Sequence, residues 1–256
     1  MSIEALSPYR KWNLKGILIC HLLILFLVGS YLWPATRPIW DIIDKAFFQL
    51  TNASLNGPKW WQTFWAMANH RYADWLEDIC IIAVFATYIQ SAHKHFKLRK
   101  IAEFVFCIFF AALIIYFVNE LFFRSYLRIP RPSPTLVFEG SVKLSDHINW
   151  LKIKDTASRT FPGDHATTAL LFGSCALFFI KGRMAKIAAV YAAFLCLPRL
   201  FTGAHWLSDI IMGSISIVLF FFSWVFFTAI HAKCILSIEK FFNLFRLKKQ
   251  SKLFQK

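Results

Sequence analysis

The chain has few acidic residues, and it lacks closely spaced cysteine pairs and linker sequence. Its 256 residues contain 14 Asp and Glu against 29 Lys and Arg. No loop holds a pair of its six cysteines, which argues against a disulfide framework and a zinc site. No internal repeat, low-complexity segment or soluble linker separates one part of the chain from another. We therefore predict a single domain spanning 1–256, without a metal or cofactor.

The basic excess predicts membrane partners. The net charge is +15, the chain is 57% hydrophobic and its mean hydropathy is +0.50. Such a charge could indicate nucleic-acid binding, but the basic residues lie at the ends of apolar runs, as membrane proteins place them. We therefore expect no nucleic-acid partner, and instead a membrane, anionic lipid surfaces and anionic substrates.

Apolar runs predict an all-α polytopic membrane protein with six transmembrane helices, since about 20 apolar residues cross a bilayer. The predicted spans lie near 16–33, 75–92, 101–123, 165–181, 186–203 and 207–230. The first follows Arg10, Lys11 and Lys15 without a cleavage site, which favours an uncleaved helix over a signal peptide. Pro198 and Gly203 are expected to separate the fifth span from the sixth.

Basic segments predict the orientation of the chain in the membrane. Four Lys or Arg lie in 93–100, three in 181–186 and seven in the tail 231–256, which places both termini in the cytoplasm. In that tail, apolar residues at 241, 242, 244 and 245 would rest on lipid while Lys248 and Lys249 meet headgroups. The loop 124–164 carries seven more basic residues on the outer side, so we expect these cations to surround an anion.

The other outer loop, near 34–74, is rich in tryptophan. Apolar residues recur there at helical spacing: Trp60, Trp61, Phe64, Trp65 and Ala68. This pattern predicts an interfacial helix lying on the membrane.

Three clusters at the outer helix ends carry the candidate chemistry. In the third, Arg199 is followed by His205 and Asp209, which would share a face of a helix at a spacing of four. The Asp209 carboxylate can then accept the Nδ1–H of His205 and leave Nε2 free as a nucleophile. A structural ion pair between helices is the alternative, but charged groups near a membrane centre cost about 2.5–3.5 kcal/mol and are usually functional.

The other two clusters supply anion contacts. Gly163 follows Pro162 in a turn at a helix start, where free backbone N–H groups bind anions, and His165 beside it is a candidate general acid. Asp164 would cap that helix. Arg124 and Arg131 can fork onto phosphate oxygens, although a flank of positive charge is the other explanation for them.

Together the clusters resemble the three motifs of the type 2 phosphatidic acid phosphatase (PAP2) superfamily, which read K-x6-R-P, P-S-G-H and S-R-x5-H-x3-D. This chain has Arg124-x6-Arg131-Pro132, Pro162-Gly163-Asp164-His165 and Pro198-Arg199-x5-His205-x3-Asp209. The resemblance implies a six-helix membrane core, a metal-independent phosphohistidine mechanism and phosphate contacts from the three arginines. It implies that His205 is the nucleophile, His165 the acid and Asp209 the residue that orients His205. Gly163, Asp164 and Pro198 depart from the motifs.

Within the superfamily, residues 120–215 are similar to the lipid A 1-diphosphate synthases. The similar segments are 133–136, 154–159, 161–165 and 203–206, and they add Arg159 as a phosphate contact. This resemblance implies phosphoryl transfer from undecaprenyl diphosphate to lipid A 1-phosphate, at the periplasmic face of a bacterial inner membrane. It also makes Asp164 a candidate for tuning transfer against hydrolysis, either beside His165 or by steering an arginine.

Three alternatives remain open. A plain phosphatase of undecaprenyl diphosphate, phosphatidic acid or lipid A would keep the fold. A vanadium haloperoxidase shares the constellation, but such enzymes are soluble and the six apolar spans argue against one. A non-enzymatic carrier of anionic lipids would need the arginines without needing His205.

Overall fold

The structure is a computed structural model that describes residues 12–253, with side chains described up to residue 245. Arg10 and Lys11 lie outside the described residues, as do the side chains of Lys248 and Lys249. The described chain is helical and contains no strand, in agreement with the all-α prediction. An isolated backbone bridge joins Arg131 to Arg159. All six cysteines are unpaired.

Twelve α-helices are present in the described residues. They are α1 (Leu14–Leu32), α2 (Arg37–Ser54), α3 (Lys59–Ala68), α4 (Arg71–Gln90), α5 (Lys97–Ile114), α6 (Pro134–Val137), α7 (Leu144–His147), α8 (Asp164–Phe179), α9 (Gly182–Leu195), α10 (Leu197–Phe201), α11 (Ile215–Phe226) and α12 (Ile230–Leu253). A short 3₁₀ turn, Lys94–Phe96, precedes α5. Two π-helical segments, Ile115–Leu127 and Asp209–Ser214, extend α5 and precede α11.

Each of the six predicted spans is helical, and four helices are long and apolar enough to cross a membrane. These four are Leu14–Leu32, Lys94–Leu127, Gly182–Phe201 and Asp209–Phe226. Helix α4 falls outside this set because acidic residues occupy its first two turns, and α8 because it has only 16 residues. The structure thus supports a membrane protein with four candidate spans, while six crossings and cytoplasmic termini stay predictions.

The predicted break between the fifth and sixth spans is confirmed. Helix α9 ends at Leu195, the short α10 follows with Pro198 in its first turn, and an irregular turn leads to Asp209. Gly203 in that turn has a φ of +71°, and a Cβ there would lie 2.6 Å from Thr135 and 2.7 Å from Phe48. Both the left-handed backbone and the close approach require glycine at this position.

The tryptophan-rich segment is a helix, as predicted, but it does not simply lie on a membrane. Trp65 of α3 is only 3% exposed, and its ring stacks on Phe201 of α10 with the ring centroids 3.8 Å apart. A small apolar core forms around it from the end of α2, from α3, and from α7 with the loop that follows it. This core comprises Leu55, Trp65, Ala66, Leu144, Ile148 and Ile153. Trp60 on the other face is 67% exposed. Helix α3 is therefore anchored to α10 through one buried tryptophan.

The tail helix α12 also packs on the protein. Arg99 at the start of α5 lies 3.5 Å from Glu239 of α12 and 3.3 Å from Glu103. Of the four apolar residues predicted to rest on lipid, Phe241, Leu244 and Phe245 are exposed and Phe242 is half-buried. The two helices are thus joined at the end of α5 that lies opposite Arg124.

Replacing Trp65 with alanine should destabilise the protein by about 3–5 kcal/mol, because a large buried side chain leaves a cavity. Thermal unfolding of the purified protein in detergent micelles measures the loss. Trp60→Ala is the matched control, since it removes an exposed tryptophan from the same helix, and it should leave the unfolding temperature nearly unchanged. Equal effects from the two variants would contradict the anchoring role of Trp65.

Candidate active site

All nine predicted site residues lie at one end of the helices, linked by hydrogen bonds, ion pairs and backbone contacts. The links join elements that are distant in the chain: Arg124 to Asp164, Arg131 to Asp209 and Arg199 to His165. Arg124 and Asp209 each lie on a π-helical segment, a geometry that is often found at functional sites. The three sequence clusters therefore form one site.

His205 and Asp209 lie at ion-pair distance, although they do not share one helix and Nδ1 of His205 makes no hydrogen bond within the described residues. His205 lies in the turn after α10, where its backbone N–H donates to the carbonyl of Arg199 over 3.2 Å. Its Nδ1 is 3.4 Å from Oδ2 of Asp209, and the same oxygen accepts the backbone N–H of Trp206 over 2.8 Å. The expectation of a shared helical face was wrong because Gly203 turns the chain, and the backbone of that turn makes the contact instead. Nδ1 faces a carboxylate, which leaves Nε2 as the free nitrogen.

Arg131 is held between two buried carboxylates. One guanidinium nitrogen bonds to Asp209, and the other donates to Asp44 over 2.8 Å and to Ser208 over 2.6 Å. Asp44 is 3% exposed and also accepts the backbone N–H and the hydroxyl of Ser208. Sequence reasoning missed Asp44. Helical spacing could have indicated that Asp44 is buried, because Asp44 shares a face of α2 with the buried Phe48 and Thr51.

Arg199 is buried at 8% exposure and has two partners of different kinds. One nitrogen donates to Oδ1 of Asn69, and the other lies 2.8 Å from Nε2 of His165. The amide nitrogen of Asn69 donates to the backbone oxygen of Lys154 and to the hydroxyl of Thr202. Asn69, which directly follows α3, was also missed, and no motif marks it. It connects the anchored helix α3 to the candidate phosphate-binding arginine.

Asp164 does not cap its helix as expected. Gly163 occupies the cap position of α8, and Asp164 is the first helical residue. The Asp164 carboxylate pairs with Arg124, which also pairs with Glu120, and accepts from the amide of Asn119 over 3.1 Å. Of the two predicted ways of tuning, Asp164 is thus placed to steer an arginine.

Arg159 reaches the site through the backbone. The N–H of Thr160 donates to the carbonyl of Arg131 over 2.9 Å, which places two arginines side by side. The exposed Arg159 side chain lies 3.3 Å from the carbonyl of Arg124. The side chain of Arg128, in contrast, donates to the nearby carbonyl of Ser125.

Comparison with known proteins indicates the family of this chain. A family profile described as the PAP2 superfamily matches residues 103–232. The chain belongs to the PAP2 superfamily. It is also 25% identical over 228 residues to a protein of Escherichia coli (strain K12) named lipid A 1-diphosphate synthase, covering 89% of this chain and 94% of that protein. No solved structure matches.

Membership confirms the resemblance and makes the protein an enzyme of the PAP2 superfamily. All nine predicted site residues lie within the stretch that the family profile matches. Asp44 on α2 and Asn69, which directly follows α3, lie before it. Their contacts with Arg131 and Arg199 therefore come from outside the stretch that the family profile matches.

Positive charges lie close together around Lys154 in this PAP2 site. Partial burial, together with the charges of Arg199 and Arg124, lowers the pKa of Lys154. A bound anion would relieve this repulsion. At the opposite side of the site, burial raises the pKa of Asp44, although the hydrogen bonds from Ser208 and the charge of Arg131 oppose that shift.

A cavity of about 450 Å³ adjoins the PAP2 site. Its walls are mostly apolar and come from α3, α4 and α9, with Phe64, Leu76 and Phe194 among them. His165 and Arg199 also line it. The carboxylates of Asp74 and Glu77 line it as well. A mostly apolar cavity that meets a few polar side chains is suited to a ligand with a lipid tail and a charged head.

One group of described side chains has a spacing that a divalent cation could use. The ligand atoms of Asp74, Glu77 and His165 lie within 4.8 Å of one another. Arg199 bonds to His165, and its fixed positive charge opposes a cation at this place. These residues therefore do not fit a resident metal.

Replacing Asp44 with asparagine should cost about 1.5–3 kcal/mol, because it removes a charged hydrogen-bond acceptor from the buried guanidinium of Arg131. The unfolding temperature and the turnover rate should both fall. The control is Asp41→Asn on the same helix, because the Arg37–Asp41 pair is exposed and such pairs contribute about 0–1 kcal/mol. An Asp44 variant as stable and active as the Asp41 variant would refute this role.

Proposed function

We propose that this PAP2 enzyme transfers a phosphoryl group from undecaprenyl diphosphate to the 1-phosphate of lipid A. The observation that carries the proposal is the His205–Asp209 contact within a ring of guanidinium groups, which is the arrangement a phosphohistidine intermediate needs. The name of the Escherichia coli relative supports the choice of acceptor and of transfer over hydrolysis. No cofactor is required.

In the first step, Nε2 of His205 attacks the terminal phosphorus of the donor. The bond from that phosphorus to the bridging oxygen breaks, and undecaprenyl phosphate leaves with a proton from His165. Arg124 and Arg199 stabilise the charge on the equatorial oxygens, with backbone N–H groups at Gly163 and contacts from Arg131 and Arg159. Asp209 stabilises the positive charge that develops on the His205 ring.

In the second step, an acceptor oxygen attacks the phosphohistidine and the P–N bond breaks. His165 now acts as the base for any proton that the acceptor oxygen carries, and His205 returns to its starting form. A lipid phosphate as acceptor gives a diphosphate, whereas water gives free phosphate. The apolar cavity beside His165 and Arg199 favours a lipid over water.

The proposed location is a bacterial inner membrane, with the active site at the periplasmic face. Basic segments at 93–100, 181–186 and 231–256 support a cytoplasmic position for the opposite end of the helices. The chain would form one domain over 1–256, with its catalytic core at about 120–215 and a basic cytoplasmic tail at 231–256.

Undecaprenyl diphosphate labelled in its terminal phosphate tests this function directly. Purified full-length protein, reconstituted with lipid A, should move the label to lipid A. The His205→Ala variant supplies the background, and it should move none because the acceptor nitrogen is gone. Label found only as free phosphate would favour a phosphatase, and transfer that survives His205→Ala would refute the mechanism.

Replacing Asp164 with glycine should lower the ratio of transfer to hydrolysis, because Arg124 loses the carboxylate that orients it. The same labelled donor gives both products in one assay. Glu120→Gln is the matched control, since it removes the other carboxylate on Arg124 and leaves Asp164 in place. A product ratio that does not move in Asp164→Gly would show that Asp164 plays no part in the choice.

A further inference from the structure

His165 has two neighbours that define how it holds its proton. Its Nε2 lies 2.8 Å from a guanidinium nitrogen of Arg199. Its Nδ1 lies 3.6 Å from Oδ1 of Asp74, near the start of α4. No motif that the sequence presents includes Asp74, which lies 91 positions before His165 in the chain.

The contact with Arg199 sets the tautomer. A guanidinium group has only donors, so Nε2 of His165 must be the acceptor, and the ring is then neutral. The remaining proton lies on Nδ1, which faces the Asp74 carboxylate. Arg199 and Asp74 therefore orient the ring from its two sides.

We propose that Asp74 is a positioning residue that keeps His165 in the orientation and charge state that proton transfer requires. The site then contains two histidine–carboxylate pairs, His205 with Asp209 for the nucleophile and His165 with Asp74 for the acid and base. This inference rests on the proposed function, because it assigns a role within the same two-step reaction.

The charges around His165 explain why a carboxylate is needed there. The groups that face it are Asp74 and Glu77 from α4, Arg199 from α10, Arg124 from the π-helical segment after α5, Lys154 from the loop before α8, and His205. Four of these six are basic, and they oppose protonation of the ring. When a phosphate draws Arg199 away from Nε2, that nitrogen takes up a proton from water and passes it to the leaving group. The negative charge of Asp74 stabilises this protonated ring, with Glu77 one turn further along.

Asp164 does not position His165, although it is adjacent to His165 in the sequence. Its carboxylate is engaged by Arg124 and Asn119. The structure thus assigns to Asp74 the role beside His165 that the sequence offered to Asp164.

The test is the pH dependence of turnover in Asp74→Asn, with the labelled donor and reconstituted full-length protein. Loss of the carboxylate makes the protonated ring less stable, so the alkaline limb of the kcat profile should move to lower pH by about one unit, because a nearby opposite charge shifts a titration by about 1–3 units. Turnover at neutral pH should fall about tenfold and recover toward the wild-type value in acid, with little change in KM. Asp74→Glu should restore part of the neutral activity.

Asp78→Asn is the matched control, because it removes the same charge from an exposed position on the same helix. Its profile should overlay that of the wild type. A loss of activity in Asp74→Asn that is equal at all pH values, with a lowered unfolding temperature, would reduce Asp74 to a structural role and overturn the proposal. Activity that is lost with EDTA and restored with Zn²⁺ or Mn²⁺ would overturn it in favour of a metal site. Wild-type protein that transfers no label refutes the proposed function instead, so the two failures are distinguishable.

Discussion

Concentrating guanidinium groups at the end of a helical bundle is the constraint on which the rest of this structure depends. Such charges repel one another before an anion arrives, and each one needs a partner that holds it in place. Arg131 is paired with Asp44 and Asp209, Arg199 with the Asn69 amide, and Arg124 with Asp164 and Glu120. The partners come from several helices. The packing of these helices against one another therefore holds the arginines in place.

The partners also divide the arginines by role. Arg131 is bonded to two carboxylates that are almost fully buried, and a phosphate there would have to compete with two negative charges. Its main effect is therefore to hold Asp209, and through it the ring of His205. Arg199 is bonded to an uncharged amide and a neutral imidazole, which a phosphate can displace at much lower cost. Arg199 is thus better suited to take the charge of the transferred group.

The apolar runs in the sequence predicted the helices. The spacing of residues within the three clusters predicted that the clusters meet at one site. These patterns did not predict Asp44, Asn69 or Asp74, which lie in the segment before the motifs and reach the site only through tertiary packing. Helical periodicity could have found Asp44 on the buried face of α2. No local signal marks Asn69, since its role depends on how Trp65 anchors α3 to α10. His205 was expected on a helix because the spacing to Asp209 is helical, whereas the turn at Gly203 decides its position.

Helices α2, α3 and α4 consequently do more than cover the bundle. Asp44 of α2, Asn69 directly after α3 and Asp74 of α4 each contact a site residue, and α3 and α4 also form apolar walls of the adjoining cavity. In the proposed reaction, the same packing sets the proton on His165, orients Arg199 and shapes the space in which a lipid would lie. The proposed transfer also requires that water be excluded while a phosphohistidine waits for its acceptor. Coupling the apolar cavity to the residues that position the acid and the phosphate contact meets that requirement, because a lipid that fills the cavity occupies the space next to His165 that water would otherwise take.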